Sequence, residues 1–136
     1  YKNIEYFEEE IINTIKKYDI ELVVMAGWMK IMSSKFVNAF KNKIINIHPS
    51  LLPSFKGNNS IKEAINSGSK ITGCSVHFVE SEVDSGSLIM QAALSISKDD
   101  NAETITKKMH LLEHKILPLS ISQVGYMLRN GIKDND

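Results

Sequence analysis

Two short apolar runs constrain the fold of this chain more than any other feature. Residues 22–26 (Leu-Val-Val-Met-Ala) and 44–47 (Ile-Ile-Asn-Ile) have little polar alternation, which is typical of strands buried on both faces. A stripe of apolar residues at helical spacing covers 4–15 before the first run, and a short apolar segment at 36–40 predicts a second helix between the runs. Alternating helices and buried strands predict an α/β fold, with a mostly parallel sheet flanked by helices.

The second half of the chain predicts a hairpin and a long helix. Apolar and polar residues alternate over 72–79, and a second strand-like run over 88–96 follows an Asp-Ser-Gly turn. We therefore expect these two strands to be antiparallel neighbours. A helix is expected to start near Asn101 and Pro118 to kink or end it, with a weaker helical stretch continuing to Met127.

Length and composition are those of a single domain, which we expect to span residues 1–136. The 16 basic and 16 acidic residues cancel, which argues against a nucleic acid or a membrane surface as the main partner. Cys74 is the only cysteine, so an internal disulfide is excluded and a reducing, cytoplasmic location is expected. The sequence leaves the oligomeric state open between monomer and homodimer.

Asn46 and His48 are the first candidates for chemistry. They are two residues apart, so on a strand both side chains project from one face, near the carboxyl end where open α/β sheets bind ligands. Pro49 disfavours a helical backbone at His48 and keeps it extended. An isolated pair of this kind is more often a buried pair that satisfies loop carbonyls than a catalytic one.

Asp84 and a short histidine motif are the other candidates. Asp84 lies in the sequence Glu-Val-Asp-Ser-Gly, where a turn alone accounts for Asp and Gly. His110, Glu113 and His114 match the H-x-x-E-H pattern of one class of zinc protease. Zinc would need a third protein ligand and an open position, and no suitable third ligand is evident. We therefore expect no metal site.

Taken together, these motifs resemble one enzyme family. The segments 46–53 (NIHPSLLP), 73–79 (GCSVHFV) and 83–86 (VDSG), with the pair Glu113-His114, are similar to those of the glycinamide ribonucleotide formyltransferases. The resemblance runs from the opening helix to about Met127. It implies a formyltransferase-like, Rossmann-like fold. It also implies transfer of the formyl group of 10-formyltetrahydrofolate to the amine of glycinamide ribonucleotide, in purine biosynthesis.

The resemblance also implies roles for particular residues. The family's catalytic Asn, His and Asp correspond to Asn46, His48 and Asp84, and the carboxylate that holds the substrate amine corresponds to Glu113. Asn46 and a protonated His48 would donate hydrogen bonds to the developing oxyanion, while Asp84 keeps the imidazole charged and relays protons. The expected cofactor-binding residues are Met29, Lys30, Ile31, Met32, Asn46, Glu80, Ser81, Glu82, Val83 and Asp84.

Two siblings share the Asn-His-Asp core. A methionyl-tRNA formyltransferase would need a basic surface to bind tRNA, and the net charge of zero argues against such a surface. A formyltetrahydrofolate hydrolase uses water in place of an amine, and Glu113 favours the enzyme that holds an amine. A non-catalytic remnant that binds folate without turnover remains as the alternative hypothesis from a different functional class.

Two expectations concern the chain ends and one loop. The chain opens with Tyr1, and its seven glycines never cluster into a phosphate-binding turn. We expect that it lacks an N-terminal segment of the family and is poorly active alone. The Leu52–Pro53 peptide bond is expected to be cis.

Overall fold

Helices and strands alternate along the computed structural model, which describes residues 3–28 and 30–133. The described elements are α1 (Ile4–Lys17), β1 (Val23–Met25), α2 (Ser34–Ala39), β2 (Ile44–His48), α3 (Ser60–Asn66), β3 (Ile71–Phe78), β4 (Leu88–Ser95) and α4 (Ala102–Arg129). Local chemistry fixes several ends. Asn3 caps α1 by accepting from the Glu5 N–H, and Asn101 and Thr104 form a capping box at the start of α4.

The four strands form one mixed sheet in the order β1-β2-β3-β4. β1 and β2 are parallel, whereas β2–β3 and β3–β4 are antiparallel. The α/β class and the hairpin are confirmed, but the expectation of a mostly parallel sheet is wrong for the strands described. A parallel partner needs a crossover back along the sheet. The seven-residue α3 and its loops instead return the chain beside the end of β2, where His48 pairs with Ser75.

Two apolar clusters lie on opposite faces of the sheet. α4 packs against β3 and β4, and its buried side chains share a core with β2 and β3: Ile45, Ile47, Cys74, Val76, Phe78, Ile105, Met109, Ile116 and Val124. A smaller cluster joins α1 and α2 to the other face: Ile12, Met32, Phe36, Val37, Phe40 and Ile44. Because Ile45 and Ile47 face α4, Asn46 and His48 project from the opposite face.

Two local expectations differ from the structure. β1 has three residues, and Val24 at its centre is 37% exposed, so this strand is not buried on both faces. Pro118 does not end α4, and the stretch expected to continue to Met127 is part of the same helix, which reaches Arg129. Buried residues on both sides of the proline, Ile116 and Val124, anchor it to the same core. The Leu52–Pro53 bond is cis, as expected. None of the described helices combines the length and the apolar character needed to cross a membrane.

Candidate active site

A cavity of about 310 Å³ lies against β2 and the end of β3. Its walls come from the chain after β1, the loop after β2, the loop after β3 and one face of α4. Asn46, His48, Asp84 and Glu113 all line it, although they come from three separate segments: β2, the loop after β3, and α4. The fold therefore brings the three expected catalytic residues and the expected amine-binding carboxylate into one cavity.

His48 is held between two acceptors. Its Nε2 lies 2.9 Å from the carbonyl oxygen of Phe55, and its Nδ1 lies 3.5 Å from Oδ2 of Asp84. The His48 side chain is only 7% exposed, so water does not replace either partner easily. A carbonyl and a carboxylate both accept hydrogen bonds, so the ring with hydrogens on both nitrogens satisfies both contacts. The two acceptors thus fix the orientation of the imidazole in the cavity.

Asp84 is fixed by its backbone and by the loop after β2. Its φ of 52° lies in the left-handed region, which Asp tolerates better than most residues. The backbone N–H of Gly57 donates to Oδ2 of Asp84 at 2.9 Å. Since the carbonyl of Phe55 holds His48, this short loop positions both members of the His48–Asp84 pair. Phe55 itself has a φ of 53°, an unusual conformation for a bulky residue.

His77 is a site residue that the sequence did not single out. Its Nδ1 donates to the carbonyl of Phe78 at 2.9 Å. Burial lowers the pKa of His77, outweighing the Phe78 carbonyl and Asp84, which both raise it. The lowered pKa favours the neutral form of His77 at pH 7, so we do not count its 3.7 Å approach to Asp84 Oδ1 as a charged pair.

The neutral ring of His77 orients Asn46. With the proton on Nδ1, the Nε2 of His77 is an acceptor, and it lies 3.5 Å from Nδ2 of Asn46. One amide hydrogen of Asn46 points at His77, which leaves the other for a ligand in the cavity. Asn46 and His77 are register partners across β2 and β3. Only the antiparallel register, which the sequence pattern did not give, could have identified His77.

A polar network centred on the buried hydroxyl of Ser75 holds the segment after His48 on the sheet. The Ser75 hydroxyl donates to the carbonyl of Ser50 at 2.7 Å and accepts from the Leu52 N–H at 3.0 Å. Gln91 of β4 donates to the Ser75 oxygen at 2.9 Å and to the Leu52 carbonyl at 3.0 Å. The start of the loop is thus tied to two strands by specific hydrogen bonds.

Both segments expected to bind the cofactor line the cavity. From the chain after β1 these are Lys30, Ile31 and Met32, of which Met32 is buried. Met29, also expected there, lies outside the described residues. The loop after β3 contributes Glu80, Ser81, Glu82, Val83 and Asp84. Ile31 and Val83 expose apolar side chains, and an apolar slot with a few polar groups suits a flat heteroaromatic ring.

Glu113 enters the cavity from α4. Burial raises the pKa of its carboxyl group, and the imidazoles of His110, His114 and His48 partly oppose that rise. A half-buried carboxylate of this kind is suited to an incoming ammonium or amine.

Within the described residues, no group of three or more His, Cys, Asp or Glu side chains is arranged to hold a metal ion. Burial also raises the pKa of the Cys74 thiol to about 12, which makes it a poor nucleophile.

Known proteins share this architecture. Residues 1–121 match the family described as formyl transferase. The chain is 40% identical over 133 residues to phosphoribosylglycinamide formyltransferase of Bacillus subtilis, covering 98% of this chain and 68% of that protein. It is 42% identical over 125 residues to the human trifunctional purine biosynthetic protein adenosine-3, covering 92% of this chain but 12% of that protein.

Solved structures agree with the sequence comparisons. The phosphoribosylglycinamide formyltransferase of Anaplasma phagocytophilum is 44% identical and superposes with a TM-score of 0.81, over 83% of this chain and 54% of that one. The enzyme of the same name from Bacillus halodurans gives a TM-score of 0.86 at 37% identity, over 91% of this chain and 64% of that one. The chain thus spans roughly half to two-thirds of these formyltransferases and about one-eighth of the human protein.

Proposed function

This chain belongs to the formyl transferase family, and we propose that it transfers the formyl group of 10-formyltetrahydrofolate to the amine of glycinamide ribonucleotide in purine biosynthesis. The observation that carries the proposal is the convergence of Asn46, His48 and Asp84 in a cavity that Glu113 also enters. Hydrogen-bond donors, a charged pair and an amine-binding carboxylate are what formyl transfer to an amine requires. Residues 1–136 are proposed to belong to one catalytic domain.

Asn46 and His48 are proposed to stabilise the charge that develops on the formyl oxygen. When the amine nitrogen bonds to the formyl carbon, the carbonyl electron pair moves onto that oxygen. Asn46 and His48 both line the cavity, and the proposed donors to that oxygen are the Asn46 amide hydrogen not directed at His77 and the Nδ1–H of His48. The 3.5 Å separation between His48 and Asp84 is long for a hydrogen bond, so the same N–H can be shared with a ligand oxygen.

Asp84 is proposed to keep His48 charged and to assist the proton movements. The attacking nitrogen must lose one proton, and the folate nitrogen must gain one as its bond to the formyl carbon breaks. The carboxylate of Asp84 is held by the Gly57 N–H and lines the cavity, where it can accept a proton through a bridging water. No covalent bond to the protein is required in this scheme.

Glu113 and the two cofactor segments are proposed to hold the reactants. Glu113 accepts hydrogen bonds from the substrate amine, while residues 30–32 and 80–84 enclose the pterin ring with apolar side chains and backbone groups. A cytoplasmic location is part of the proposal, supported by the single cysteine, Cys74, which is buried as a free thiol.

The test follows a ¹³C-labelled formyl group. The protein, produced from the start codon of its gene, is incubated with ¹³C-formyl-tetrahydrofolate, with and without glycinamide ribonucleotide, and the product is identified by NMR. The proposal predicts label on the amine nitrogen, formed only when glycinamide ribonucleotide is present. Label released as formate at the same rate in both mixtures would instead identify a hydrolase. Binding of tetrahydrofolate with no turnover in either mixture would indicate a folate-binding remnant.

A further inference from the structure

Helix α1 contacts the loop that follows β1 at several points. We define this loop, residues 26–33 without Met29, as the cofactor loop. Phe7 stacks on Trp28 with ring centroids 6.3 Å apart and planes within 5°. The Nζ of Lys30 lies 4.8 Å from the centre of the Phe7 ring, on its face. One residue further along α1, Glu8 reaches the end of the loop at Ser33.

The contact between Glu8 and Ser33 uses both oxygens of one carboxylate. Oε1 accepts from the backbone N–H of Ser33 at 2.7 Å, and Oε2 accepts from the Ser33 hydroxyl. The same hydroxyl oxygen accepts from the N–H of Phe36 at 3.3 Å and so caps α2. A single side chain of α1 therefore fixes the point where the cofactor loop joins α2.

Glu8 is an unusual residue for this position. It is only 5% exposed, and it forms no ion pair with any residue in the described part of the chain. It lies next to an apolar cluster that includes Ile12 and Phe36, so an apolar side chain could fill the space without burying a charge. What an apolar residue could not do is define the position of Ser33 through two directed hydrogen bonds.

The opposite side of the cofactor loop is a wall of the cavity. Trp28, Lys30, Ile31 and Met32 line it together with residues of β2. Met32 is buried in the cluster between α1 and α2, whereas Ile31 is 72% exposed and Trp28 is 41% exposed. The position of these exposed side chains therefore depends on the contacts that α1 makes with the side of the loop facing away from the cavity.

We infer that Glu8 is a positioning residue for the cofactor. Its two hydrogen bonds to Ser33, which we call the clasp, set the distance between the cofactor loop and the β2 side of the cavity that the pterin ring requires. The inference rests on the proposed function, because it takes the ligand of this wall to be the folate. The inference predicts that folate binding and the chemical step respond differently to the loss of Glu8. Loss of the clasp should weaken folate binding, while the chemistry at His48 and the amine contact at Glu113, on other segments, should change little.

A ligand-free measurement tests the clasp itself. Trp28 is the only tryptophan of the chain, so its fluorescence reports on the cofactor loop alone. In Glu8→Leu, which keeps bulk but removes both acceptors, we expect Trp28 to be quenched more strongly by acrylamide. The control is Glu9→Leu, since Glu9 is the next residue on α1 and is exposed. Equal quenching in Glu8→Leu and the unsubstituted protein would overturn the clasp.

Binding and kinetics test the consequence. We expect Glu8→Leu to weaken tetrahydrofolate binding and to raise the KM for 10-formyltetrahydrofolate by about tenfold, as for a lost hydrogen bond to a charged group. The kcat and the KM for glycinamide ribonucleotide should change less than about twofold, as should every value in Glu9→Leu. Because Ser33→Ala breaks the same contact, its effect should not add to that of Glu8→Leu.

The outcomes separate the inference from the function on which it rests. A lower melting temperature with unchanged tetrahydrofolate affinity would show a purely structural Glu8 and overturn the inference. An equal rise in the KM for 10-formyltetrahydrofolate and in the KM for glycinamide ribonucleotide would also overturn the inference. Failure of the unsubstituted protein to bind tetrahydrofolate would refute the proposed function, and the cofactor role of Glu8 with it. If Glu8→Leu does not fold, Glu8→Gln serves, because its amide keeps one acceptor and predicts a smaller shift in the same direction.

Discussion

The carboxylate of Asp84 lies 3.5 Å from Nδ1 of His48, although 36 positions separate the two residues in the chain. His48 ends β2, and Asp84 belongs to the loop after β3. Neither side chain is placed by its own strand or turn alone. The loop between them contributes the Phe55 carbonyl to His48 and the Gly57 N–H to Asp84, so one segment aligns both partners.

Replacing Asp84 by Asn isolates the role of its charge. The Asn side-chain oxygen can still accept from the Gly57 N–H, so the loop keeps its contact, but the charged form of His48 loses its counter-charge. We expect kcat for formyl transfer to fall by about 10²–10⁴. Steady-state kinetics measure the effect. The control is Asp99→Asn, because Asp99 is an exposed residue elsewhere on the chain, and its kcat should equal that of the unsubstituted protein. A fall of less than about threefold would show that the charge is dispensable.

Replacing Asn46 by Asp removes a donor without changing the shape of the side chain. An oxygen would then face the acceptor Nε2 of His77, and no amide hydrogen would remain for the formyl oxygen. We expect kcat to fall by about 10²–10³, as for the loss of one oxyanion donor. Asn38→Asp on the exposed side of α2 is the matched control. Normal turnover by Asn46→Asp would mean that this amide does not contact the reacting oxygen.

Glu113 gives a prediction about stability and pH. Burial raises the pKa of this carboxyl group in the folded chain, so the folded state binds the proton more tightly than the unfolded state does. Stability should therefore fall as pH rises from the ordinary pKa of a glutamate to the raised one, and the loss should persist at neutral pH. Glu113→Gln removes the buried charge. We expect it to raise the melting temperature at pH 7, with a smaller effect near pH 4.

The same shift governs binding of the amine substrate. Because the ionised form of Glu113 accepts hydrogen bonds from the amine, binding should weaken on acidification at a higher pH than for an exposed glutamate. The KM for glycinamide ribonucleotide, measured against pH, tests this. In Glu113→Gln the KM should be high throughout and lose this pH step. An unchanged pH profile in that variant would assign the titration to another group.

Gly73 and Gly125 form a matched pair for testing the packing of the hairpin. A Cβ at Gly73 would lie 2.0 Å from the carbonyl oxygen of Ala92 and 2.7 Å from a methyl carbon of Leu51. We expect Gly73→Ala to destabilise the fold by about 1–3 kcal/mol, because the β4 backbone must move. Gly125→Ala has open space within α4 and should stabilise by about 1 kcal/mol. Thermal unfolding of both variants measures the difference, and equal melting temperatures would contradict the packing described.

Local patterns in the sequence predicted most of the elements, because apolar periodicity reports burial directly. The stripe over α1 and the alternation over β3 are examples. They did not predict the direction of β3 relative to β2, because periodicity is the same in parallel and antiparallel strands. His77 was missed for the same reason, since it joins the site only through its register with Asn46.

The proximity of His48 and Asp84 was expected only from the resemblance to the formyltransferases. Each residue alone had a simpler explanation, as a buried histidine or a turn aspartate. The backbone partners at Phe55 and Gly57 had no signal in the sequence, because every residue type offers a carbonyl and nearly every type an N–H. Such contacts depend on the path of a loop, which tertiary packing determines.

The central claim is that the groups around His48 carry out formyl transfer, and single-turnover kinetics of His48→Ala test it most directly. With tetrahydrofolate and glycinamide ribonucleotide affinities measured separately, the account predicts a rate of formyl transfer at least about 10²-fold below that of the unsubstituted protein. Both affinities should stay within about threefold, because Glu113 and the cofactor segments hold the reactants. A His48→Ala variant that binds both reactants and transfers the formyl group at the unsubstituted rate would contradict the account.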